Sequence, residues 1–225
     1  MWKQIIAGAI ALLLSVAARP VWNDGGNVYT HGSREDAAIA LTFDDGPHPV
    51  YTDRILDVLE RYGVKATFFP IGINAENYPA PLLRAYKEGH EIGNHTYHHK
   101  NLRTLSYEEM VCEIGDTARR IYDMTDYPVT LIRPPQGIMS AQFLSLTEEL
   151  GYRVVLWDVD TRDWAGESVT AMTRNILENT DNVDFILFHD YHNGAANTIR
   201  TLEIVIPELQ KRGFRFVTVS ELLDD

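Results

Sequence analysis

Short apolar runs alternate with amphipathic helical stretches along almost the whole chain, and this alternation limits the fold more than any other feature. Residues 38–44, 66–71, 90–94, 131–133, 153–157, 184–188 and 214–217 have the length and flanking turn residues of buried strands. Between them the spacing predicts helices. One runs over 52–62, capped by Thr52 and stopped by Gly63. A second covers 78–88 and stops at Gly89. Ser106 opens a third with Glu109 three residues on, a capping-box spacing, and that helix is expected to bury Tyr107, Val111, Ile114, Ala118 and Ile121. Others follow over 141–150, 169–179 and 197–212, the first stopped by Gly151 and the last by Gly213, with Pro207 expected to kink or split the last. A final helical turn follows Ser220. Strand–helix alternation of this kind builds right-handed βαβ units and a parallel sheet. No linker or repeat divides it, so residues 36–225 read as one α/β domain, either a barrel-like ring or a doubly wound sheet.

The strand ends carry the chemistry. The first ends in Asp44-Asp45-Gly46-Pro47. The third runs into His95-Thr96-Tyr97-His98-His99, and the fourth ends in Arg133. The fifth leads to Asp160-Thr161-Arg162-Asp163-Trp164, and the sixth ends in His189-Asp190. Five of seven strands thus deliver ionisable groups at the same end, the pattern of a catalytic face at the C-terminal end of a barrel. Successive strand residues point to opposite faces, so Asp44 and Asp45 suit different jobs. One can reach a metal while the other stays free as a base; the plain alternative is a turn with solvated acids. A helical turn after His95 would place His95 and His99 on one face, with His98 as a competitor. Two imidazoles and a carboxylate make a three-ligand set with open positions, suited to hydrolysis.

Thr42-Phe43-Asp44-Asp45-Gly46-Pro47, His95-Thr96-Tyr97-His98-His99, Arg133-Pro134-Pro135-Gln136-Gly137, Asp160-Thr161-Arg162-Asp163-Trp164 and Leu187-Phe188-His189 resemble, in order, the five motifs of the polysaccharide deacetylases (the NodB-homology domain, carbohydrate esterase family 4). The resemblance implies a distorted, TIM-like (β/α)7 barrel. It implies a divalent metal, usually zinc with cobalt or nickel as alternatives, held by Asp45, His95 and His99. Asp44 would be the general base and His189 the general acid for the departing sugar amine. Asp163 would orient His189, and Arg133 would aim Asp44. The backbone N–H of Gln136 would face the oxyanion, and Trp164 and Leu187 would line an acetyl-sized pocket. The third motif commonly carries an aromatic residue where this chain has Gln136, which makes that wall less apolar. The implied activity is removal of N-acetyl groups from an extracellular glycan, N-acetylglucosamine of peptidoglycan first and chitin-type oligomers next. An O-acetyl xylan esterase is the alternative chemistry. A non-catalytic glycan-binding module would have lost the base or the acid, and both are present. A metalloprotease lacks its His-Glu-x-x-His signature.

Acids outnumber bases 32 to 20, a net charge of −12, which argues against nucleic acid as the partner. An acetylated polysaccharide is the implied substrate, with no stable protein partner. Residues 1–18 read as a signal peptide, one Lys before an apolar run ending in small residues, with an uncleaved membrane anchor as the alternative. This places the protein outside the cell or in the envelope, and 19–35 reads as a polar lead-in. The single cysteine, Cys112, is expected to pack in a helix as a small apolar group.

Overall fold

A computed structural model of the chain describes residues 26–32, 37–191 and 194–224; the expected leader and most of the lead-in lie outside them. The strands are β1 (Val28–Tyr29), β2 (Ala38–Asp44), β3 (Thr67–Phe69), β4 (Glu91–Ile92), β5 (Leu131–Ile132), β6 (Arg153–Val155), β7 (Val159–Asp160), β8 (Phe185–His189) and β9 (Arg215–Phe216). The helices are α1 (Tyr51–Tyr62), α2 (Gly72–Asn77), α3 (Pro79–Lys87), α4 (Tyr107–Thr125), α5 (Ala141–Glu149), α6 (Val169–Asn179), α7 (Ala195–Lys211) and α8 (Val219–Leu223).

Strands β4-β3-β2-β8-β7 form one parallel arc and β1-β6-β5 another. A bridge from Asn94 to Ile132 joins β4 to β5, and the chain passes from β6 into β7, so the arcs make one ring. This is the distorted (β/α)7 barrel. The seven expected strands correspond to β2, β3, β4, β5, β6 with β7, β8 and β9. Strand β1, within the stretch read as a polar lead-in, is an addition: it pairs Val28 and Tyr29 with Val154 and Val155.

Strand β2 is the pivot. It pairs with β8 along 40–44, with β3 along 42–44 and with β9 at 38–39. Its alternation separates two environments. Ile39, Leu41 and Phe43 pack outward beneath the helices, where Phe43 stacks between Phe68 and Phe188 at 4.9 and 5.6 Å. Ala38 and Ala40 face a separate cluster with Phe69, Leu131, Val155 and Phe185. Phe43 is fully buried, and truncating such a side chain to alanine costs ~3–5 kcal/mol.

Local signals locate the helix ends well. Gly63 adopts φ 64° and its N–H returns to Glu60, and the left-handed stop recurs at Gly89, Gly151 and Gly213. Ser106 and Glu109 form the full capping box. Several expectations are corrected. Thr52 does not cap α1: it lies inside the first turn, donates to Asp190 Oδ2 at 2.5 Å and accepts from His48 N–H. The buried face of α4 is Met110, Glu113, Ile114, Thr117 and Ile121, while Tyr107, Val111 and Cys112 are exposed. Pro207 sits within one continuous helix, and α8 is capped by Thr218 rather than Ser220. The short helix α2, just after the second expected strand, has no counterpart in the sequence reading.

Candidate active site

The β2–β8 register sets Asp44 directly beside His189. Partners in adjacent parallel strands share a face, so the two side chains emerge together at the C-terminal end of the barrel. Asp44 Oδ1 accepts from Arg133 Nη1 at 2.8 Å. Arg133 is fully buried just beyond β5, and its other donors are matched as well: Nη1 to Thr42 Oγ1, Nε to the Val155 carbonyl and Nη2 to the Leu156 carbonyl. A buried guanidinium is tolerable only when paired and hydrogen-bonded in this way. Its carbon lies 4.4 Å from the centre of the Phe69 ring.

One residue further on, Asp45 takes φ 75°, a left-handed conformation that turns its side chain away from the strand alternation. Its Oδ1 is buried with no hydrogen-bond partner. Facing it, at 3.5 Å each, are His95 Nε2 and His99 Nε2. His95 Nδ1 contacts the Arg133 carbonyl at 2.8 Å; as donor there, it leaves Nε2 with a lone pair towards Asp45. The three ligand atoms lie within 4.8 Å of one another. An orphaned buried carboxylate oxygen opposed by two imidazole nitrogens fits a divalent cation of the zinc, cobalt or nickel kind. The two histidines do not share a helical turn as expected. An irregular loop with Thr96 at φ 64° and His99 at φ 56° brings their rings to 4.9 Å. His98 turns away and pairs with Glu113.

Behind His189, Asp163 is buried and accepts, among the described residues, from His189 Nδ1 and N–H at 2.8 Å, from Thr198 Oγ1 at 2.9 Å and from Trp164 N–H at 2.8 Å. Burial alone would lower the His189 imidazole, but the bond and charge of Asp163, with Asp44 and Asp45 behind, lift it to about 9. The acid form of His189 is thereby favoured.

These groups open into a cavity of about 550 Å³ whose walls include Gln136, Trp164 and Leu187 as well as the ionisable residues. Gln136 is exposed at φ 57° in the turn after Arg133. Trp164 is 54% exposed, its Nε1–H donating to Asp160 Oδ1, and Leu187 is buried on the cavity floor. All ten sequence-derived site residues therefore converge. Two wall residues have no role in the sequence reading: Asp160, named there only within the motif after the fifth strand, and Trp157. Trp157 follows β6, and the rule that drew attention to the other strand ends applies to it equally. Thr198, on α7, carries no local signal of its role beneath Asp163.

A model of the polysaccharide deacetylase family matches residues 31–155. A peptidoglycan-N-acetylglucosamine deacetylase of Bacillus cereus is 41% identical over 82% of this chain and 87% of its own length. A chitooligosaccharide deacetylase of Azorhizobium caulinodans is 34% identical over 81% and 92%. A solved structure of the Bc1960 peptidoglycan N-acetylglucosamine deacetylase superposes with a TM-score of 0.87 at 37% identity, covering 90% of this chain and 95% of that one.

Proposed function

The chain belongs to the polysaccharide deacetylase family, and from that premise we propose that it is a metal-dependent hydrolase removing N-acetyl groups from N-acetylglucosamine residues of peptidoglycan, with chitin-type oligomers as secondary substrates. The observation that carries this reading is the unpartnered Asp45 Oδ1 facing His95 and His99, with the Asp44 carboxylate and the His189 imidazole standing together beside it. Asp45, His95 and His99 would hold the cation, which when bound would polarise the acetyl carbonyl and make water a stronger acid.

The chain's own groups perform the remaining work. Arg133 fixes Asp44 Oδ1, so the carboxylate presents Oδ2, 3.7 Å from His95 Nε2, to take a proton from the attacking water. Attack on the acetyl carbon turns its carbonyl oxygen into an oxyanion on the Gln136 side of the cavity. His189, with Nδ1 tied to Asp163, delivers a proton from Nε2 to the sugar nitrogen as the C–N bond breaks. An amine is a poor leaving group without that proton, and an imidazole held cationic up to about pH 9 is suited to supply it. Trp164 offers a flat apolar face to a pyranose ring. A cell-wall substrate and the apolar stretch at 5–18 support action outside the cell or in the envelope.

The test is acetate release from peptidoglycan fragments, N-acetylglucosamine oligomers and acetyl-xylan, with chelator and with zinc restored. Release from the glucosamine substrates that stops on chelation and returns with zinc is the expected result. Release confined to acetyl-xylan, or indifferent to chelator, would overturn the reading.

A further inference from the structure

Outside the five motifs, on the buried face of α4, Glu113 is 4% exposed and lies beneath the loop that joins His95 to His99. Its Oε2 accepts from the backbone N–H groups of Tyr97 and His98 at 3.0 and 2.7 Å. Its Oε1 pairs with His98 Nδ1 at 2.8 Å and Lys100 Nζ at 2.9 Å. The carbonyls on the other side of the same loop are taken from elsewhere: Thr96 C=O accepts from Gly72 N–H, and Tyr97 C=O from Ile73 N–H, at the start of α2. The loop is thus clamped between the first turn of α2 and one buried carboxylate. The clamp matters because Thr96 and His99 stand in left-handed backbone, a conformation that is strained for a non-glycine residue and persists only where the surroundings enforce it.

We infer that Glu113 is a positioning residue for the metal centre, holding the 96–100 loop in the one conformation that points His99 Nε2 at Asp45. This rests on the proposed metal reading. Glu113 touches neither the cation nor substrate; it acts through the backbone of Tyr97 and His98, and it also explains His98, whose side chain is a second anchor for the clamp rather than a ligand. Burial would push the Glu113 carboxyl up, but the His98 N–H, Lys100 and the His98 ring outweigh it and hold it below its ordinary value, so it serves as an acceptor for all four donors. A glutamine there has one acceptor oxygen and an NH2 that opposes donors, so it cannot serve both the backbone N–H pair and the Lys100 ammonium.

The experiment compares wild type with Glu113→Gln and Glu113→Asp. Zinc affinity is measured by competition with a chromogenic chelator, the visible spectrum is recorded with Co2+, and kcat and KM are determined at saturating and limiting zinc. The expected result for Glu113→Gln is zinc affinity weakened about 10–100-fold, a changed Co2+ absorption band, and a kcat that falls at limiting zinc while KM stays put. Glu113→Asp, which keeps the charge, recovers part of the affinity. Zinc affinity within twofold of wild type in both variants overturns the inference even if unfolding temperature drops, since that is a structural role alone. Failure of both variants to fold overturns it too, because the clamp is assigned to the loop and not to the core. Wild-type protein that binds no zinc would instead sink the metal reading beneath it.

Discussion

On one side of the cavity, Asp44 and His189 stand on adjacent strands and each leans on a buried partner whose hydrogen bonds are matched within the protein, Arg133 in one case and Asp163 in the other. On the other side, Asp45 and His99 sit in left-handed loop conformations, and Asp45 Oδ1 has no partner. The pair proposed to handle protons has its hydrogen bonds matched as folded, whereas the trio proposed to hold a cation leaves a buried carboxylate oxygen unmatched. Strand pairing is enough to place the first. The second needs loops held from behind, at a cost in backbone strain of ~1–3 kcal/mol per left-handed residue.

If this division is real, removing the cation should have the largest effect. Exhaustive chelation is expected to abolish acetate release, with zinc restoring it, while circular dichroism stays unchanged because the strand half needs no ion. Loss of folded signal on chelation would break the comparison. Asp44→Asn is next: a loss in kcat of about 10²–10⁴-fold with zinc still bound, read by acetate release beside a zinc titration. If zinc binding collapses instead, the two halves are not separable.

Asp163→Asn sharpens the comparison through pH. His189 is raised to about 9 from an ordinary 6.5, so its acid form is populated below about 9 and lost as pH rises through that value. Without the Asp163 charge its largest support is lost and the imidazole falls, so the alkaline limb of kcat/KM should move to the acid side. The same linkage makes the pair's contribution to stability fully present below pH 6.5 and fading as pH passes about 9, measurable by denaturant unfolding across that range. The smallest effect is expected for Trp164→Ala. The side chain is half exposed, so the unfolding temperature should hardly move while KM rises severalfold on oligomeric substrates.

The strand half was also the legible half. The run from Ala38 to Asp44 announces a buried strand whose last residue faces the site, and the glycine stops and the Ser106–Glu109 box depend on neighbours a few residues away. The errors cluster where a side chain answers to a distant one. Thr52 has the makings of a helix cap, yet Asp190, 138 residues on, claims its hydroxyl. The spacing of His95 and His99 suggested a helical turn, but Glu113 and the start of α2 impose another backbone. On α4, Ile114 and Ile121 lie on the buried face as expected, but Tyr107 and Val111 do not, and Glu113 takes a place on that face that no apolar spacing announces.

The pivot role of β2 reaches beyond geometry to the timing of synthesis. Ala40, early in the domain, has Phe185 as a pairing partner, and Asp44 has His189. A ribosome must therefore deliver most of the polypeptide before base and acid can meet. A nascent or truncated chain ending before β8 carries the proposed ligands Asp45, His95 and His99 and the proposed base Asp44 but lacks the proposed acid His189, so full activity would report that β8 has been delivered and paired.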